Sequence, residues 1–160
     1  MTLPLPLPNG IPWTIPLADG PIRPGSDRAL AAVVAMVAAV SLVMLVRIEP
    51  DARGHGTHEQ LGLDPCGWPM HYGIPCPTCG CTTAACLLVH GRVVDAFVTQ
   101  PFGAVFAAFG ALVGVHAVSC LVRGRSFADL LVRLPFWRIV TGAFLLMLVA
   151  WGYTWLTWAR

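Results

Sequence analysis

The sequence predicts an all-α membrane protein with three transmembrane helices, a short interfacial helix and a cysteine-rich turn segment. The 160 residues are 56% hydrophobic and only 11% charged, whereas soluble domains carry roughly a quarter charged residues. Three apolar runs are long enough to cross a hydrocarbon core, which takes about 20 residues. Five of the six cysteines fall between positions 66 and 86, in the connection between the first two runs.

The three runs predict the spans of a membrane domain over residues 26–160. Arg28 and Arg47 flank the first run. The third run ends in aromatic residues of the kind enriched at the level of the lipid headgroups, namely Trp151, Tyr153, Trp155 and Trp158. The predicted spans are residues 29–46, 101–122 and 139–158.

A separate N-terminal segment precedes the membrane domain. Residues 1–25 contain seven prolines, a density that excludes helix and favours an extended or polyproline-like chain. Residues 1–20 carry no basic residue, so we expect no cleaved secretory signal. We expect this segment to lie in the cytoplasm and to contact a partner there.

The placement of arginine predicts the orientation, because short cytoplasmic loops keep positive charge. The loop 123–138 holds four arginines and the single acid Asp129, whereas the longer connection 47–100 holds three arginines and several acids. We therefore expect a protein of the bacterial inner (cytoplasmic) membrane, with its N-terminus in the cytoplasm. The cysteine-rich loop then lies outside, where disulfides persist.

The connection 47–100 divides into three predicted parts. Residues 49–64 are polar and predict an irregular loop, and residues 66–80 are punctuated by glycine and proline, which predicts a compact group of turns. A short helix then begins near Thr82, with Thr82 or Thr83 as its cap, and Gly91 ends or bends it. Because this helix is too short to span, we place it at the membrane interface.

One motif around the cysteines is similar to the signature of a known family. It reads Gly73-Ile-Pro-Cys-Pro-Thr-Cys-Gly80, with Cys66 upstream and Gln100-Pro101 downstream. It resembles a family of small bacterial membrane proteins of unassigned function with a Cys-Pro-x-Cys-Gly-x-Thr-Arg signature. The resemblance covers about residues 66–102 and implies the same placement of spans around the cysteines. Thr83 stands where the signature has Arg. The resemblance implies no activity.

The cysteines admit three interpretations. One or two disulfides, such as Cys66 to Cys76 or Cys79, would staple a loop too small to bury a core. A zinc-like ion would be bound by the same three cysteines together with Cys81 or His71, since thiolate and imidazole are zinc ligands. A catalytic dithiol at Cys76 and Cys79 would resemble thioredoxin, but no thioredoxin strand pattern surrounds it. The cofactor prediction is accordingly none or one zinc-like ion.

The second predicted span carries two further features. Among the His, Asp, Glu, Lys and Arg residues, only His116 lies inside a predicted span, and we interpret it as a helix-to-helix or interfacial hydrogen-bonding group. Small residues permit the close approach of a neighbouring helix, and the predicted packing face consists of Gly103, Ala107, Gly110, Ala111 and Gly114.

These features predict a non-catalytic accessory or structural subunit of a larger bacterial membrane assembly. Its partners would be other integral membrane subunits and the lipid bilayer, and a net charge of +2 is too small to favour nucleic acid. Motifs of nucleotide-binding proteins and of common hydrolases are missing from the sequence. The alternative function is a membrane-bound thiol or metal protein in periplasmic redox chemistry or metal handling, with thiol-disulfide oxidoreductase as the enzymatic form.

Overall fold

The computed structural model describes residues 24–129 and 134–158, and these residues form helices and connecting turns without a β-strand. The predicted all-α class is therefore confirmed. The predicted proline-rich segment lies almost entirely outside the described residues. The helices are α1 (Pro24–Arg47), a 3-10 helix (Thr57–Leu61), α2 (Gly67–Tyr72), α3 (Cys81–Val89), α4 (Val93–Thr99), α5 (Pro101–Arg123) and α6 (Phe136–Thr157).

Three of these helices, α1, α5 and α6, are long and apolar enough to cross a membrane. They confirm the three predicted spans and extend them by a few residues at several ends. Helices α1 and α5 each begin with a proline, Pro24 and Pro101. Proline is tolerated there because the first N–H groups of a helix have no partner within the helix. Most side chains of the three helices are exposed in the isolated chain, as expected for helices surrounded by lipid.

The central pair, α1 and α5, packs closely through small residues. A Cβ atom added to Gly114 would lie 2.5 Å from the Cβ atom of Ala38, so the two helices approach almost to backbone contact. One to two turns further, toward the N-terminus of α1 and the C-terminus of α5, a buried cluster contains Ala31, Ala117, Cys120 and Phe127. Van der Waals contact of this kind is the main attraction between helices in lipid.

A buried carboxylate ties the start of α1 to the chain that follows α5. Asp27 is 7% exposed, and its carboxylate accepts hydrogen bonds from the backbone N–H groups of Phe127 at 3.2 Å and Ala128 at 2.7 Å. These bonds satisfy two N–H donors that would otherwise be buried without a partner. The α1 N-terminus and residues 124–128 therefore belong to the same side of the molecule.

The connecting region, defined here as residues 48–100, lies at the opposite side, and it contains more helix than the sequence predicts. The expected irregular loop includes the 3-10 helix, and the expected group of turns includes α2. Pro69 does not prevent α2, because it occupies the first turn, where no intrahelical N–H bond is lost. The single predicted short helix is in fact α3 and α4, separated at Gly91, whose φ of 75° favours glycine.

The third long helix is attached mainly through its C-terminal half. The Trp151 indole Nε1 donates to the Pro75 carbonyl at 2.9 Å, and the Tyr153 hydroxyl donates to the Val98 carbonyl at 2.8 Å. Residues 136–145 are exposed along their whole length. The C-terminal ends of α1 and α6 and the N-terminal end of α5 therefore meet the connecting region, which is the arrangement required of three successive spans.

We predict that Gly114→Ala destabilises the protein, because the added Cβ overlaps Ala38 and overpacking costs about 1–3 kcal/mol. Gly142→Ala in α6 is the matched control, since no atom lies within 4 Å of the added Cβ. The control should be neutral or slightly stabilising, because Ala has the higher helix propensity. Unfolding of both variants in the same detergent measures the difference. Equal stability would contradict the close α1–α5 contact.

Candidate metal centre

Three cysteine sulfurs converge in the connecting region. The Sγ atoms of Cys66, Cys76 and Cys79 all lie within 4.8 Å of one another, and those of Cys66 and Cys76 are 3.8 Å apart. Around a tetrahedral zinc ion with Zn–S bonds of about 2.3 Å, neighbouring sulfurs are about 3.8 Å apart. The cluster, called the cysteine triad below, is therefore close to the dimensions of a single thiolate-bound ion.

Local backbone geometry produces the triad. Cys66 directly precedes α2, which ends at Gly73. A tight turn then brings the other two cysteines together, with the Cys79 N–H donating to the Cys76 carbonyl at 3.1 Å. Gly80 follows with φ of 87°, and a Cβ atom there would lie 2.9 Å from the Gly54 carbonyl oxygen. Only glycine fits this position, where the turn meets the preceding loop.

Two membrane helices hold the backbone on either side of Cys76. Trp151 of α6 donates to the Pro75 carbonyl, as described above. Gln100 is fully buried, and its Nε2 atom donates to the Pro77 carbonyl at 3.2 Å. The Oε1 atom of Gln100 accepts from the N–H groups of Phe102 and Gly103 at 2.8 and 3.2 Å. One side chain thus caps α5 and fixes the cysteine turn to it.

The surroundings shift the pKa values of Cys76 and Cys79 in opposite directions. Burial opposes ionisation of Cys76, but hydrogen bonds from Thr78 and from the thiols of Cys79 and Cys66 outweigh it and lower the pKa of Cys76. Burial, together with the neighbouring Cys76 and Cys66 sulfurs, raises the pKa of Cys79 to about 12. Cys76 is therefore deprotonated more readily than Cys79, and a metal ion would have to displace the proton of Cys79.

The disulfides expected as one alternative are not present in the structure, where all six cysteines are free thiols. A disulfide would join two sulfurs of the triad and leave the third unused. The triad therefore agrees better with the metal alternative than with a simple staple.

Two residues proposed as metal ligands lie outside the triad. Cys81 begins α3, and its side chain packs against α5 where Gly103 leaves room for it; burial raises the pKa of this thiol to about 11. His71 is exposed on α2, and its ring neighbours Tyr72 with 6.4 Å between the ring centroids. Both residues are near the triad in sequence, but the helices on which they lie direct them elsewhere.

A cavity of about 450 Å³ adjoins the triad. Its lining combines sulfur, imidazole and carboxylate groups with threonine hydroxyls. The sequence did not identify this second set of donors, because the loop before α2 carries it and only the fold brings that loop over the cysteine turn. The lining includes Cys66, Cys76, Cys79, His55, His58, Glu59, Met70 and Thr82.

Thr83 connects that loop to α3. It was expected to cap α3, but the residue at the N-cap position is Gly80 and no side chain caps the helix. Thr83 is instead buried, and its hydroxyl lies 2.8 Å from the hydroxyl of Thr57. The Thr57 hydroxyl also accepts from the Asp51 N–H at 3.0 Å. The position that is Arg in the resembling signature is thus a buried contact with the loop.

The predicted packing face of α5 is divided between two neighbours. Gly103 meets Cys81, and Gly114 meets α1, whereas Gly110 and Ala111 are exposed and Ala107 is half-buried. Among residues 24–129 and 134–158, only the two ends of this face are therefore used for packing.

Among the described residues, His116 contacts its own helix and the chain that follows it, so the predicted helix-to-helix or interfacial hydrogen bond stays a prediction. Its Nε2 atom lies 3.4 Å from the Cys120 sulfur one turn later in the same helix. The ring also contacts Phe127, with 5.8 Å between the ring centroids.

We predict that Gln100→Ala destabilises the protein by about 1–3 kcal/mol, because two N–H groups and one carbonyl lose their partner in a buried site. Gln60→Ala is the control, since Gln60 also bonds backbone groups, those of Glu49, but in an exposed position. Thermal unfolding in detergent measures both effects. A loss as large in the control would show that burial of Gln100 is not the cause.

The region that contains this site is similar to a known protein family. Residues 66–114 match the profile of a family described as "Protein of unknown function (DUF2752)". No curated protein and no solved structure matches the chain. The matched residues begin at the first cysteine of the triad and extend through α3 and α4 into α5. Residues 66–114 are thus similar to the DUF2752 family, whose function is unknown.

Proposed function

We propose that this protein is a membrane-anchored metal-binding protein that holds one thiophilic ion, such as zinc, on Cys66, Cys76 and Cys79. The observation that carries the proposal is the mutual approach of three sulfurs within 4.8 Å. Thiolate is the preferred ligand of zinc and other soft ions. A turn that places three thiols together on the wall of a cavity has the donor set that such an ion requires.

We propose further that the metal centre faces the outside of a bacterial inner membrane. Arg123 is the last residue of α5, Arg125 follows it, and Arg138 lies in the first turn of α6, all at the end opposite the connecting region. Positive charge favours the cytoplasm for that end. The N-terminus would then be cytoplasmic, and the ion would be exchanged with the extracytoplasmic compartment.

A second proposal concerns the role of the whole chain as a non-catalytic accessory subunit of a larger membrane assembly. The observation that favours it is the exposure of Gly110 and Ala111 on α5, with no atom within 4 Å of a Cβ added to Gly110. Exposed small residues on a membrane helix allow another helix to approach closely. Another integral membrane subunit would occupy this face.

We predict that reduced protein purified in detergent binds one zinc ion per chain. Serine at any position of the triad should abolish or strongly weaken binding, because the hydroxyl is a poor zinc ligand at neutral pH. Cys81→Ser is the matched control from the same segment and should retain the ion. Affinity should fall as the pH falls, because protons compete for the thiolates. Metal analysis and zinc competition titrations measure these effects.

Zinc retained by all three triad variants, or lost equally from Cys81→Ser, would refute the proposed centre. The amount of protein that accumulates in cells is a second measurement for the Cys76→Ser/Cys79→Ser variant. Failure to accumulate indicates that the centre stabilises the fold, whereas normal accumulation without metal separates binding from folding.

For the subunit role, we predict that Gly110→Leu breaks up the native complex in mild detergent. Ala108→Leu is the control, since Ala108 is also small and exposed but lies about 200° around the helix. Native electrophoresis and mass measurement compare the two variants. A wild-type chain that migrates alone, or equal disruption by both substitutions, would contradict the proposal.

A further inference from the structure

The triad supplies three ligands, whereas structural zinc sites are closed by four protein ligands and catalytic sites leave the fourth position to water or substrate. Among the described residues, no other cysteine, histidine or carboxylate joins the triad within 4.8 Å. Its fourth position therefore depends on a group that reaches it across the adjoining cavity. The identity of that group decides whether the bound ion is a structural clamp or an exposed reactive centre.

Two possible metal ligands on the cavity wall, Glu59 and His55, are already held by other groups of the chain. The Glu59 carboxylate accepts from Arg53 Nη2 at 3.0 Å. The His55 Nδ1 atom is 3.0 Å from the Arg53 carbonyl, and its ring lies against Trp158, tilted by 35° with 4.5 Å between the ring centroids. These contacts hold both groups where they are. Met70 is 73% exposed and offers only a weak thioether donor.

His58 is different. It lines the same cavity, is half-buried, and has no hydrogen bond or ring contact recorded among the described residues. It lies in the 3-10 helix between Gly56 and Gly62, both of which have positive φ. The preceding Thr57 is anchored to Thr83, so the helix stays over the cysteine turn while the imidazole is unrestrained.

We propose that His58 is the fourth ligand, and that the ion draws its imidazole across the cavity to complete a Cys₃His site. This inference rests on the proposed metal-binding function and adds to it the role of the ion. One metal–nitrogen bond replaces a metal–water bond, and the imidazole binds in its neutral form. The closed site would join the loop to the cysteine turn, so the ion would act as a structural clamp of the connecting region.

Cobalt(II) is the probe, bound to the whole reduced chain in detergent, because its visible spectrum reports both thiolate coordination and tetrahedral geometry. We expect a four-coordinate spectrum for the wild type. Loss of a group that only supports a metal ligand weakens metal binding by about 10- to 100-fold, so His58→Ala should weaken cobalt binding by at least that factor. It should also shift the ligand-field bands. Excess free imidazole should restore the wild-type spectrum, since the cavity has room for it.

His71→Ala is the matched control, because His71 is close to the triad in sequence but does not line the cavity; it should bind cobalt as the wild type does. Wild-type affinity and spectrum in His58→Ala would overturn the inference while leaving the metal centre intact. Loss of binding that imidazole fails to restore would overturn it as well, since a structural role would then explain the loss. A wild type that binds no cobalt overturns the metal centre itself.

Discussion

The position of Cys76 depends on two hydrogen bonds from two different membrane helices. Gln100 at the start of α5 holds the Pro77 carbonyl, and Trp151 of α6 holds the Pro75 carbonyl, so the backbone is fixed on both sides of the cysteine. Partly buried bonds of this kind cost more when broken than they contribute when made, because the freed groups are shielded from water. The triad is therefore a property of the assembled helices and not of an isolated loop.

The hydrogen bond from Trp151 also explains how α6 is attached to the fold, although this helix packs little against the other helices. Its contacts within the chain are concentrated near its C-terminal end, at Trp151, Tyr153 and Trp158. Binding of an ion at the triad would stiffen the Pro75–Pro77 backbone and, through Trp151, the attachment of α6. The proposed metal binding would thus be coupled to the packing of the third span through one short stretch of chain.

The sequence predicted the elements that hydrocarbon thickness and residue spacing determine. The three spans follow from apolar runs of about 20 residues, and Cys66, Cys76 and Cys79 were identified as one candidate site. The sequence did not predict the contacts between distant segments. The approach of the loop carrying His58 depends on a threonine pair 26 positions apart, for which the sequence offers no periodic signal. Proximity in sequence was misleading for Cys81 and His71, because each lies on a helix that turns it away.

The pKa pattern of Cys76 and Cys79, one lowered and one raised, is also that of a dithiol oxidoreductase, so geometry has to separate the two interpretations. In a thioredoxin-type site the first cysteine is activated by a helix N-terminus. Here α3 begins at Cys81, two residues beyond Cys79, and the lower pKa of Cys76 comes from Thr78 and the neighbouring thiols. A third sulfur, that of Cys66, lies 3.8 Å from Cys76. A dithiol mechanism requires no such third sulfur, whereas a tetrahedral metal site requires it as a ligand.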